Sequence, residues 1–90
     1  MKNYIRIEGK RWFQKSFGNT YHSVKVWVNG ELLGYIPFRY GYGGHYKQTA
    51  AELLIKNGYF KDYADFCDHK RKFPDNFQIN VQDVSRKKDL

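Results

Sequence analysis

The sequence predicts an α+β domain: a mainly antiparallel sheet of about four strands packed on one main helix, in the order β-β-β-α-(α)-β. Three observations carry this expectation. The early segments alternate strictly between apolar and polar residues, and Asn29-Gly30 separates two of them as a hairpin turn. From Tyr46 the apolar residues change to helical spacing, and alternation returns at Phe77. A sheet with its apolar residues gathered on one face must cover that face, and an amphipathic helix does so in two layers.

Tyr4-Ile5-Arg6-Ile7-Glu8 places Ile5 and Ile7 on one face and charge on the other, the pattern of a half-buried strand. Gly9 within such a pattern predicts a bulge or twist. Lys10-Arg11-Trp12-Phe13-Gln14-Lys15 interleaves cations with rings and leaves room for the strand to continue before the turn residues Ser16-Phe17-Gly18-Asn19-Thr20. Over residues 21–28, Val24, Val26 and Val28 share one face, with Tyr21, Lys25 and Trp27 on the other. Asn29-Gly30 allows two registers: a two-residue loop pairs Val26 with Leu33, and a three-residue loop with Gly30 as a bulge pairs Val26 with Leu32. The second is favoured because it gathers Val24, Val26, Leu32, Ile36 and Phe38 on one side and leaves Lys25, Trp27, Glu31 and Tyr35 on the other. Pro37 marks a strand end or a sheet edge.

Residues 38–49 form a tyrosine- and glycine-rich turn that leads into the main helix. Tyr46, Ala50, Leu53 and Leu54 recur at helical spacing, Ala51 and Ile55 widen the stripe, and Asn57-Gly58 is the expected stop. A short second helix over about residues 61–69 would turn Tyr63, Phe66 and Cys67 inward. Lys70-Arg71-Lys72, beside Asp65 and Asp68, reads as a solvated helix end. Phe73-Pro74-Asp75-Asn76 is a turn, and Phe77, Ile79 and Val81 alternate with Gln78, Asn80 and Gln82 as the last strand. Val84 is out of phase, so either a bulge intervenes or the strand stops near Gln82. The domain is expected to span residues 1–84, with 85–90 a mobile basic tail.

With 90 residues the chain can build one small core and no second domain. Its 16 basic and 9 acidic residues leave a net charge of +7. Residues 1–48 hold eight basic residues against Glu8 and Glu31, a balance of +6, so an anionic partner should meet that half. Cys67 is the one cysteine, which excludes an intrachain disulfide and suits a reducing compartment. No apolar run approaches the roughly 20 residues that span a bilayer, so no membrane partner is expected.

Three kinds of ligand fit this pattern. Nucleic acid needs cations that follow phosphates and rings on which bases stack, which selects Lys10, Arg11, Trp12, Lys15, Lys25, Trp27, Arg39 and Tyr42, with Arg86, Lys87 and Lys88 as an ancillary contact. Trp12 and Trp27 fit equally well in a second apolar layer. A protein partner, acidic by charge complementarity, would use the same Trp, Tyr and Arg residues as a docking patch, extended by Tyr40, His45 and Lys47 at its rim. A small phosphorylated ligand would sit at Gly41, Gly43, Gly44, His45 and Lys47, where a helix start offers backbone N–H groups; the same glycines also serve a tight strand-to-helix connection.

Catalysis has no comparable candidate. His22, His45 and His69 are far apart in sequence, and Cys67-Asp68-His69 lacks the repeated spacing of a zinc site. Cys67, in phase with Tyr63 and Phe66, reads as a small buried hydrophobe. No catalytic residue, metal or cofactor is expected.

Arg11-Trp12-Phe13-Gln14-Lys15-Ser16, Gly18-Asn19-Thr20-Tyr21-His22-Ser23, Tyr40-Gly41-Tyr42-Gly43 and Gln48-Thr49-Ala50 together resemble short proteins of uncharacterised activity carried by bacteriophages and prophages. The resemblance implies a phage-borne accessory protein in the host cytoplasm, acting on a host component, and assigns no site residue. The expected function is non-enzymatic binding, of nucleic acid first and of a host protein as an inhibitor or adaptor second.

Overall fold

The computed structural model describes Met1–Leu90. Strands β1 (Ile5–Gln14), β2 (Asn19–Val28) and β3 (Glu31–Tyr40) are followed by helices α1 (His45–Lys56) and α2 (Tyr63–Lys72) and by strand β4 (Phe77–Val84). Short 3-10 turns at Pro74–Asn76 and Lys87–Asp89 flank β4. The α+β class and the element order are as the sequence predicts. The four-stranded sheet, in the order β3-β2-β1-β4, is however mixed: β1 and β3 are antiparallel to β2, and β4 is parallel to β1. Both helices are complete elements, of 12 and 10 residues, rather than one main helix and a fragment. The pair carries the chain from the end of β3 across the covered face to the far edge, so β4 enters in the direction of β1. Alternation reports which face a side chain takes and is silent on the direction of the neighbouring strand.

The β1–β2 ladder runs unbroken from Ile5 opposite Val28 to Gln14 opposite Asn19, so the basic and aromatic segment is the second half of β1. Gly9 makes no bulge in that ladder. A Cβ there would stand 2.6 Å from Cδ2 of Tyr46, and the missing side chain is what lets the Tyr46 ring rest on the sheet.

The second hairpin closes with a two-residue turn, in which Asn29 (φ 54°) and Gly30 (φ 84°) are both left-handed and Val28 faces Glu31. This corrects the favoured three-residue loop. Phase is restored further along instead: Trp27 faces Leu32 but Val26 faces Gly34, so Leu33 is an extra residue, and a second shift around Pro37 separates Ile36, opposite Val24, from Arg39, opposite His22. Leu32 and Phe38 consequently lie on the face opposite the valines, not beside them. Leu32 is 56% exposed, and the Phe38 ring stacks on Tyr21.

The centre of the covered face is aliphatic. Ile5, Ile7, Val24 and Val26 are fully buried beneath Ala50, Ala51 and Leu54 of α1. Asn57 and Gly58 end α1 as expected, the N–H of Gly58 and that of Tyr59 donating to Ile55 O and Leu54 O. Helix α2 opens on Asp62, whose carboxylate accepts from the N–H of Asp65 at 2.8 Å, while Asp65 accepts from the N–H of Lys61 at 2.9 Å. It docks through Phe66, which meets Phe60 and Phe77 edge-on at 5.5 and 5.8 Å. Cys67 is half-buried, whereas Tyr63, expected inside, is 39% exposed; Phe66 is the one fully buried residue of α2, and His69 also meets the Phe60 ring at 5.3 Å. Arg71 and Lys72 pair with Asp68 at the solvated end of α2. Val84 needs no bulge: β4 simply continues, and this residue faces the other side of the sheet beside Trp12. No helix is long and apolar enough to cross a membrane.

Candidate nucleic-acid interface

The helices cover one face of the sheet and leave the other without a helical layer. On that open face the registers place residues in rungs, with Trp12 beside Tyr21, Lys10 beside Ser23 and Gln82, and Glu8 beside Lys25 and Asn80. Arg6 beside Trp27 completes the series. At one end the rings form a ladder across three strands. Trp12 stacks on Tyr21 at 5.8 Å with 26° between planes, and Tyr21 on Phe38 at 4.6 Å and 17°. Tyr40 meets Tyr21 edge-on at 5.7 Å. At the other end the Arg6 guanidinium lies 4.6 Å from the Trp27 ring centre, and between them Lys25 lies 5.3 Å from that of Tyr35.

Residues 85–90 are not free of this surface. The chain turns at Lys87–Asp89 and lies back against the open face as a strap. The Tyr35 hydroxyl donates to Leu90 O at 3.3 Å, and the Lys87 ammonium stands 4.8 Å over the Phe38 ring. Arg86 pairs with Asp89 within the strap. Lys10, Trp12, Lys25 and Trp27, selected from sequence, are therefore brought together with Arg86, Lys87 and Lys88 nearby; Lys15 extends the surface in the exposed turn after β1.

The remaining candidates lie elsewhere. Arg11 points to the covered side, donating from Nε to Asp83 at 2.8 Å and from Nη1 to Gly43 O at 3.1 Å, so it ties β1 to β4 and to the glycine turn. Arg39 is bound to Glu52 of α1 at 2.6 Å. Tyr42, His45 and Lys47 line an open groove at the start of α1, which Tyr40 joins from the end of β3 and Lys70 from α2. Gly41 belongs to this junction, because a Cβ there would meet the His45 ring at 2.5 Å.

His22 and His45, distant in sequence, meet with ring centres 5.4 Å apart. His22 is fully buried, its Nδ1 3.2 Å from Gly41 O and its Nε2 2.7 Å from the Thr49 hydroxyl. A carbonyl can only accept, so Nδ1 carries the proton and Thr49 donates to Nε2. Burial lowers the pKa of His22 below its ordinary value; the bond to Gly41 opposes this, and His45 and Arg39 add to it. With both nitrogens engaged, His22 is a pin between β2 and α1.

Several residues of the open face were not among those selected from sequence. Tyr21 was placed on the Trp27 face by its alternation, but its stacking role depends on Phe38 arriving through the shift at Pro37. Arg6, Ser23, Asn80 and Gln82 belong to the polar phase of their strands; only the parallel pairing of β4 with β1 puts Gln82 beside Lys10 and Asn80 beside Glu8. No family model matches the chain, and neither a curated protein nor a solved structure matches it.

Proposed function

We propose that the chain is a small phage-borne protein that binds single-stranded nucleic acid non-covalently on the open face of its sheet. The observation that carries this reading is the Trp12–Tyr21–Phe38 ladder set beside free lysines on one surface. Tyr21 is faced by a ring on either side, so the outer rings of the ladder, Trp12 and Phe38, the latter beneath Lys87, offer bases the stacking surface, each worth about 1–3 kcal/mol, while lysines track the backbone. A duplex hides its base faces and gains only the electrostatic part, so single strands should bind more tightly. Lys10, Lys15, Lys25 and Lys88 provide the phosphate contacts; if each neutralises one phosphate, the slope of log K against log salt is about −3 for single strands. Arg11 and Arg39, held by Asp83 and Glu52, serve the fold in this reading.

Titration of labelled single- and double-stranded oligonucleotides at two salt concentrations tests it. Single-strand binding that weakens with salt, and that Trp12→Ala or Phe38→Ala reduces, is the expected result. No binding to either form at low salt removes the reading.

One observation favours a host protein as the alternative partner. Leu32 is 56% exposed on the same face, and an aliphatic side chain offers a protein apolar area to bury but a base no stacking surface. Affinity capture with a nuclease control separates the two: a stoichiometric partner that survives nuclease supports docking on a host protein.

A further inference from the structure

The strap and the middle of the open face line a half-open cavity of about 230 Å³ between the aromatic ladder and Trp27. Ser23 forms its floor, 97% buried in the sense that only 3% of the residue is exposed, and Lys10, Lys25, Asn80 and Gln82 surround it. The Tyr35 ring makes one wall and Leu90 another. Of the lining side chains, the Glu8 carboxylate is engaged by Arg6 and the Tyr35 hydroxyl by Leu90. The intrachain hydrogen bonds and ion pairs engage neither the two lysines nor Ser23, Asn80 or Gln82, so a hydroxyl, two amides and two ammonium groups converge without partners.

We infer that this cavity is a pocket for one nucleobase of the bound strand, which gives the surface a base preference; the inference rests on the single-strand reading above. The amides of Asn80 and Gln82 each present a donor and an acceptor, and Ser23 adds a hydroxyl that serves as either, which matches the mixed edge of a base. Tyr35 supplies a ring for the base to lie against once Lys25, which stands 5.3 Å from its centre, turns with Lys10 to the phosphate. The size agrees: the volume lies below the roughly 300–1,000 Å³ of sites for drug-sized ligands, which suits one planar group rather than a length of chain. So does the position. Neighbouring same-face positions along a strand are about 7 Å apart, so the Lys10–Ser23 rung adjoins the Trp12–Tyr21 rung and a base in the pocket has its neighbour on the ladder.

The test is fluorescence anisotropy with labelled homopolymers of each of the four bases, together with NMR titration of the four nucleoside monophosphates. Wild-type protein is expected to favour one homopolymer by about 5- to 150-fold, the range for one well-matched base edge. The variant Asn80→Ala/Gln82→Ala, and separately Ser23→Ala, should flatten that preference while leaving the salt slope as it was. The preferred monophosphate should shift the amide resonances of Ser23, Asn80 and Gln82. Equal affinity for all four homopolymers with no such shifts overturns the pocket and leaves the ladder reading intact. Failure of every oligonucleotide to bind removes the ladder reading and this inference with it. A preference that survives all three substitutions places base selection elsewhere and overturns the inference.

Discussion

The two faces of the sheet are built from the same alternating strands and put them to opposite uses. At the centre of the covered face the side chains are aliphatic, fully buried and closed over by α1, so they contribute through burial and close packing. On the open face large rings remain half-exposed, cations stand over several of them, and a polar cavity is left with unpartnered groups. Stability alone favours apolar side chains beneath a cover. In the reading proposed above, a face that holds rings beside free lysines serves contact with something outside the chain. The lesson is that an alternating strand specifies two surfaces at once, and that the polar phase carries the information about partners.

The comparison breaks most readily on the covered side. Phe66→Ala removes the one fully buried ring of α2 and should cost about 3–5 kcal/mol, read as a lower urea midpoint. A loss below about 1 kcal/mol would mean that α2 contributes little to the fold. Gly9→Ala should cost about 1–3 kcal/mol, because the new methyl overlaps the Tyr46 ring. In a Tyr46→Ala background that penalty should shrink, and a double-mutant cycle with no coupling would refute the contact. On the open side, Trp12→Ala or Phe38→Ala should weaken single-strand binding by about 1–3 kcal/mol each, with a smaller effect on the unfolding midpoint. Equal loss in both measurements would erase the distinction between the faces. Lys25→Gln should make the salt slope shallower by about 0.7, and an unchanged slope would take that lysine off the phosphate path.

The smallest expected effect concerns pH. His22 has a folded pKa below its unfolded value of 6.5, so the unfolded chain binds the proton more strongly. Its neutral form is compatible with full stability above pH 6.5, and stability should fall as pH drops from 6.5 toward the lowered folded value. Melting temperatures between pH 7.5 and 5 should show this decline in wild type and a flatter profile in His22→Gln. Matching profiles would acquit His22.

Much of this was legible in the chain. Alternation located all the strands, the spacing from Tyr46 located α1, and Asn57-Gly58 marked its end, because these depend on local geometry and on which side chains can be buried. Tyr21, Lys25 and Trp27 share one face for the same reason. The register of the second hairpin was not legible. Both loops fit Asn29-Gly30, and the deciding shifts at Leu33 and Pro37 are set by how β3 packs on β2 and beneath α1; Gly34, for one, leaves no room for a Cβ beside Leu53. Arg11 and Arg39 looked like free cations because their carboxylate partners lie 72 and 13 residues away.

By itself the sequence determined the α+β class, the element order, the apolar phase of each strand and the concentration of positive charge in the first half. These follow from periodicity and composition, which act over neighbouring residues. Tertiary structure alone decided that β4 runs parallel to β1, that Phe38 joins Tyr21, that His22 meets His45, and that residues 85–90 return over the sheet. Each of these joins groups far apart in the chain, and such contacts form only when packing of the whole domain compensates the entropy of closing the loops between them.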